Sequence, residues 1–400
     1  MSFQQGLSGL NASSRNLDVI GHNIANANTT GMKASRAEFS ELYAGNIGTS
    51  GGTAAGIGVA VSTVSQQFSQ GNITTTGNSL DVSINGSGFF TVAQPNGDLA
   101  YTRAGNFKLD ASGNIITNDG AKLQGDIIDP VTGAISKGAL TVPTGKGVAG
   151  KETTTGKLEL NLDTRAAVAA AQVPPTPTTT YGTSLNVYDK QGTAIPVNLY
   201  FVKTGPNAWN AYTKPDASDT PTALTFDTSG KLLTPKPATM TLTGLQNAGS
   251  TSDPVTVAFD LSGMTQNASS FAVSDLKQNG YAPGQLTGMS IENDGTLTTR
   301  YSNGQTQSAG RVTLSNFRNV QGLEVSNGGY WKQTAASGAP ITSNPGSGSF
   351  GQLRSGALED STVDLTGELV NMMTAQRAYQ ANAQTIKTQD QVMSTLVNLR

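Results

Sequence analysis

His22 is the only histidine in the chain, and there is no cysteine. Acid–base chemistry near neutral pH usually runs through imidazole, and soft metal sites need thiolates or a second imidazole. With no second His and no HExxH neighbour, zinc sites and Ser–His or Cys–His pairs are largely excluded. His22 reads as an ordinary surface or packing residue of a helix. Gly86-Ser87-Gly88 could open a phosphate-cradling loop, but it lacks a third glycine, a following helix and a P-loop lysine. It reads as a turn at a strand end. Asp110-Ala111-Ser112-Gly113-Asn114 resembles a calcium loop without the alternating carboxylates or the closing glutamate, and reads as a hairpin turn. Asn28-Thr29-Thr30 and Asn72-Ile73-Thr74 match glycosylation acceptors, a pattern short enough to arise by chance. These residues lead us to expect no catalytic site, no cofactor and no metal.

The two ends of the chain carry the clearest periodicity. Phe3, Leu7, Leu10, Ser14, Leu17, Gly21 and Ile24 step by four and three. So do Leu365, Leu369, Met372, Gln376, Tyr379, Ala383, Ile386, Asp390, Met393 and Val397. Such spacing lines side chains along one seam of a helix that packs on another helix. It predicts helices over residues 2–28 and 361–400, the first closed by Thr29-Thr30-Gly31. Ser14, Gly21, Gln376 and Asp390 make the seam too polar to hold a two-stranded coil firmly. The seam therefore reads as one that orders when neighbouring copies surround it. Phe3, Leu7, Leu10, Leu17, Ile24, Leu365, Leu369, Met372, Tyr379, Ile386, Met393 and Val397 are the expected subunit-packing residues.

Between the helices the period changes to two. Residues 32–70 read as polar and transitional, with Gly45–Gly58 loop-like and Val59, Val61 and Val64 suggesting a short strand. From about residue 71, Leu80, Val82 and Ile84 alternate, and Pro95-Asn96-Gly97-Asp98 separates two strand-like runs. Residues 126–180 are rich in Gly, Thr and Ala and are broken by Pro174-Pro175-Thr176-Pro177. Alternation returns at Leu185–Tyr188, Val197–Phe201 and Val255–Phe259, and again at 289–317. The predicted fold is mainly β with long helical termini. The terminal helices pair in an inner coiled-coil-like domain, and β-rich domains are inserted between them as nested excursions. The expected partition is 1–28 with 361–400 (helical), 29–70 with 351–360 (connecting), 71–145 with 281–350 (inner β) and 146–280 (outer β).

Composition narrows the function classes. Of 400 residues only 13% are charged and 36% are hydrophobic, with 47 glycines. Counting glycine as apolar brings the total near the usual range, so packed cores are feasible. A net charge of -2 gives no electrostatic reason to bind nucleic acid or an anionic membrane. No run of about 18 apolar residues suggests membrane insertion. MSFQQGLSGLNASSRNLDVI lacks the marks of a cleaved secretory leader.

Leu17-Asp18-Val19-Ile20-Gly21, Asn23-Ile24-Ala25-Asn26 and Thr30-Gly31-Met32-Lys33 resemble the N-terminal signature of the bacterial flagellar rod and hook proteins. Glu368-Leu369-Val370-Asn371-Met372-Met373 and Ala375-Gln376-Arg377-Ala378-Tyr379-Gln380-Ala381-Asn382 resemble the C-terminal signature. Gly86-Ser87-Gly88-Phe89-Phe90, Tyr101-Thr102-Arg103-Ala104-Gly105-Asn106-Phe107 and the stretch Asp110–Gly125 resemble the shared β-domain. Within the family, Gln278-Asn279-Gly280-Tyr281, Pro283-Gly284, the length and the ending Lys387–Arg400 are similar to hook subunits; a distal rod protein is the alternative. The resemblance implies a homopolymer, a short curved flexible tube that joins rod to filament and transmits torque as a universal joint. It also implies export through the flagellar type III apparatus without a cleaved leader. The partners it implies are a distal rod protein, a hook cap protein, a hook–filament junction protein and a hook-length control protein, at the basal body outside the cell surface.

Overall fold

Two helices frame the chain and strands fill it. The computed structural model describes residues 2–43, 56–128, 133–143, 147–169, 180–213, 220–247 and 253–398. Helix α1 spans Ser2–Ala25 and helix α2 spans Leu365–Asn398. α1 gives way to turns that end at Gly31, whose φ of 71° is the left-handed conformation glycine adopts freely. α2 starts at a capping aspartate: Asp364 Oδ1 accepts from Thr366 N at 3.0 Å, satisfying one of the free donors of the first turn.

The segment read as transitional is more ordered than its composition suggested. Strand β1 (Ser35–Tyr43) pairs antiparallel with strand β2 (Gly56–Gln66), and α1 packs on this hairpin. Phe39, Leu42 and Tyr43 are all exposed and do not alternate, so β1 carries no period-two signal to read. Most of the glycine-rich stretch Gly45–Gly58 and the whole of Pro174-Pro175-Thr176-Pro177 lie outside the described residues.

The described residues fall into two units, one of Met1–Thr144, Gly288–Thr299 and Thr306–Arg400, the other of Gly145–Thr287 and Arg300–Gln305. In the first, a sheet runs from Thr306–Val312 through Lys122–Ile128, Phe89–Ala93 and Leu99–Thr102 to Tyr330–Lys332 and Glu324–Ser326. The Phe89–Ala93 and Leu99–Thr102 strands are joined by the expected Pro95–Asp98 turn, with Gly97 at φ 90°. Phe89, Tyr101, Phe317 and Trp331 make an edge-to-face aromatic core, with ring centroids 4.7 Å apart for Tyr101–Phe317 and 5.4 Å for Phe89–Trp331. Gly105 has no room for a side chain, since a Cβ there would sit 1.6 Å from the Val82 carbonyl oxygen.

The second unit is two sheets around one core. Thr180–Tyr188, Ala194–Gly205, Ala208–Tyr212, Thr222–Phe226 and Leu232–Thr234 form an antiparallel meander. The facing sheet orders Thr239–Leu245, Val255–Asp260, Thr155–Asp163 and Thr265–Asn267. Alternate residues point inward: Leu158, Leu160 and Leu162 meet Val197, Leu199, Phe201, Trp209, Val257 and Phe259 in one buried cluster. The Leu158-x-Leu160-x-Leu162 alternation lies inside the 126–180 stretch read as Gly/Thr/Ala-rich, and there the local pattern outweighed the composition.

Candidate functional site: the paired terminal helices

The residues first suspected of chemistry are taken up by structure. His22 is exposed on α1, its Nδ1 3.4 Å from Asn26 Nδ2. Asp110 Oδ1 accepts from Ser112 N at 2.9 Å and Asn114 N at 2.7 Å, so its carboxylate closes its own turn. The hydrogen bond from the Asn114 side chain holds the Asp110 pKa below its ordinary value. Asp189 and Asp227 each close a turn of the same kind, accepting from the residues two and four positions on. Gly86 and Gly88, at φ 117° and 128°, form the bend between Val82–Asn85 and Phe89–Ala93. Among the described residues no cluster of His, Cys, Asp or Glu is arranged to hold a metal ion.

The helices meet along small and polar residues. A Cβ on Gly6 would lie 3.0 Å from Ile386 Cγ1, and one on Gly9 would lie 2.9 Å from Asn382 Nδ2. Asn382 Nδ2 also reaches Ser13 Oγ at 3.4 Å. Asn16 and Ile20 line a cleft with Glu368, Asn371 and Thr374. The fully buried Asn23 donates to Glu368 Oε1 at 3.1 Å and to the Ser35 carbonyl at 2.8 Å, while its own Oδ1 accepts from Ser35 N. Ala375, in the first half of α2, is buried.

Gly6, Gly9, Ser13, Asn16, Ile20 and Asn23 each stand one residue before Leu7, Leu10, Ser14, Leu17, Gly21 and Ile24. On α2, Glu368, Asn371, Ala375 and Asn382 stand one before Leu369, Met372, Gln376 and Ala383. One residue is a rotation of about 100°. The apolar seam legible in the sequence is therefore turned off the contact between the two helices. Phe3 is 50% exposed, Leu7 44%, Leu365 48%, Leu369 47%, Tyr379 37% and Met393 56%. Leu10, Leu17, Ile24 and Met372 are partly covered, and nothing lies within 4 Å of where a Gly21 side chain would be. Ile386 is the exception, since it faces Gly6. The Val397 side chain lies outside the described residues. Sequence reasoning missed the contact stripe because Gly, Ser and Asn carry no hydrophobic period; the 4-3 recurrence of small residues was the available signal.

The stripe makes a prediction. Gly9→Ala should be nearly neutral, because a gain in helix propensity of about 1 kcal/mol offsets a push on the flexible Asn382. Gly9→Leu should cost about 1–3 kcal/mol by prising the helices apart. Loss of far-UV helix signal on heating, compared between the two variants, checks the difference.

Comparison with known proteins gives a consistent result. Four family models match in chain order: "Flagella basal body rod protein" at residues 3–33, "Flagellar hook protein FlgE/F/G D1 domain" at 83–156, "Flagellar basal body protein FlaE D2 domain" at 159–281 and "Flagellar basal body rod FlgEFG protein C-terminal" at 354–399. The chain is 42% identical over 425 residues to the flagellar hook protein FlgE of Escherichia coli K12, covering all of both chains. It is 42% identical to that of Salmonella typhimurium LT2, again over all of both. To the Treponema pallidum hook protein it is 31% identical, over 100% of this chain and 99% of that one. Among solved structures, the crystal structure of Helicobacter pylori flagellar hook protein FlgE2 shares the fold, with a TM-score of 0.54 at 14% identity over 70% of this chain and 99% of that one.

Proposed function

Because the chain belongs to the bacterial flagellar hook protein family and is a structural subunit of the hook, we propose that its apolar helical seam is the surface through which copies polymerise. The observation that carries this reading is the 100° offset. A small, polar stripe holds α1 to α2, and about half of the seam beside it, including Phe3, Leu7, Leu365 and Leu369, stays open to other molecules. A head-to-tail contact that does not close generates an open helical assembly. The product is a short, curved, flexible tube that joins rod to filament and transmits motor torque as a universal joint.

Membership of this family places the chain at the hook and basal body of the flagellum and among other basal body components. The finer assignments are part of the proposal. The neighbours at the two ends of the tube are a distal rod protein and a junction protein, growth occurs beneath a cap, and a length-control protein acts during export. The export apparatus passes the chain with α1 retained, a reading supported by the integration of residues 3–33 into the fold and into the matched family segment. The chain acts mechanically, with no catalytic step of its own.

Purified protein, concentrated or salted out, should form curved tubes by electron microscopy; straight ones would favour a distal rod protein. Leu7→Glu with Leu369→Glu should abolish tubes while leaving the circular dichroism of the monomer unchanged. Normal tubes from that variant would remove the seam from the assembly surface.

A further inference from the structure

Only two stretches of chain connect the helices and hairpin to the sheets of the same unit: residues 67–72 going out and 360–364 coming back. Both run past one buried carboxylate. Glu359, fully buried, accepts from Lys33 Nζ at 2.6 Å and from Gly71 N at 2.9 Å through Oε1, and from Arg103 at 3.2 Å through Oε2. Its carbonyl accepts from Gly31 N at 2.8 Å. Lys33 also donates to the Ser69 carbonyl at 2.6 Å, and Arg103 to the Gly86 carbonyl at 2.9 Å. The Arg103 guanidinium lies 5.4 Å from the centre of the Phe89 ring.

We propose that the Lys33–Glu359–Arg103 cluster is the torsional joint of the subunit, locking the helix pair and hairpin to the β-sheets so that twist applied at one passes to the other. The proposal rests on the reading of the chain as a torque-bearing hook subunit. Both crossings and the segments beside them contribute: Lys33 just after the turns that follow α1, Gly71 in the outgoing crossing, Arg103 just past the Leu99–Thr102 strand, and Glu359 immediately before the return. Two further contacts fix the backbones against one another. A Cβ on Gly71 would sit 2.1 Å from the Asp360 carbonyl oxygen, and one on Gly31 would sit 2.6 Å from Ala104 N.

The chemistry argues for orientation rather than stability. A buried ionic cluster is expensive to desolvate, and apolar residues of similar volume often serve stability as well or better. Here two cations share one carboxylate, and Arg103 Nε has no partner among the described residues. Burial lowers the Lys33 and Arg103 pKa values, and Glu359 offsets only part of that shift in each. What such a cluster supplies beyond apolar packing is direction. Hydrogen bonds of fixed geometry resist rotation and sliding, whereas apolar surfaces slip.

The test compares the apolar refill K33M/R103M/E359L with E359Q in the full-length chain, using tubes of purified protein anchored at one end and a magnetic bead turned at the other. The refill should melt at or above the wild-type temperature and yet give tubes at least twofold more compliant in twist. E359Q should be more compliant and also less heat-stable. In monomers of both variants, trypsin should cut at Arg36 and Arg377 at least tenfold faster, while the melting of the 145–287 unit is unchanged. The monomer measurement holds even where a variant does not polymerise. Wild-type twist compliance in the refill tubes, or wild-type trypsin rates in the monomers, would overturn the proposal. Failure of the wild-type chain to form tubes would instead count against the functional reading, a separate result.

Discussion

Removing residues 1–28 is expected to yield a folded monomer that does not polymerise under any condition in which the full chain does. The segment carries Phe3, Leu7, Leu10, Leu17 and Ile24, five of the twelve residues of the apolar seam. Fully burying an apolar side chain contributes about 1.5–3 kcal/mol, so covering residues already partly shielded contributes on the order of 1 kcal/mol each. Losing the five weakens each contact by roughly 5 kcal/mol, a change of several thousandfold in affinity. The deletion also unpairs Asn382 and Ile386 on α2 and removes Asn23, which bridges Glu368 and Ser35. The β-sheets should survive, because their cores (Phe89, Tyr101, Phe317 and Trp331 in one unit, Phe201, Trp209 and Phe259 in the other) draw nothing from α1. Sedimentation of the monomer and electron microscopy of concentrated samples would measure the outcome. Tubes formed by the truncated chain would mean that assembly runs through other surfaces.

The terminal helices and most strands could be read from sequence because one periodicity dominates each. Leu7–Leu10–Leu17 steps at helical spacing, and Val197–Leu199–Phe201 alternates with every second side chain buried. The 35–43 strand could not be read so, since it is held by backbone pairing with 56–66 and by the packing of α1. The site was half legible. The seam announced itself through large apolar residues, but its partner stripe is written in Gly, Ser and Asn, residues whose contribution is close approach and hydrogen bonding. The Glu359 cluster was invisible for a different reason. Its members are separated by up to 326 positions, and an isolated Lys, Arg or Glu in a sequence looks like solvated surface until the fold brings them together.

In the 145–287 unit, Trp209→Ala should cost about 4–8 kcal/mol, lowering the melting temperature of that unit by roughly 10–30 °C. Trp209 is fully buried between the two sheets, and its indole N–H donates to Gln266 Oε1 at 3.0 Å. Gln266 is itself fixed, since its Nε2 donates to Thr164 Oγ1 at 3.1 Å and to Asn207 Oδ1 at 3.0 Å. Asn207 sits at φ 55°, the left-handed conformation that asparagine tolerates better than most residues. Truncation to alanine therefore has two costs of separate origin. The lost ring leaves a cavity, about 3–5 kcal/mol, and the stranded Gln266 oxygen adds about 1–3 kcal/mol. Trp209→Phe separates them, because it keeps most of the apolar volume and removes only the donor. It should cost about 1–3 kcal/mol, about a third of the alanine effect. Far-ultraviolet circular dichroism on heating follows the strands of this unit, with the near-ultraviolet signal of Trp331 in the other unit as an internal reference whose transition should not move. Equal losses from Trp209→Phe and Trp209→Ala would show that the Gln266 hydrogen bond, rather than the packing of the ring, holds the two sheets together.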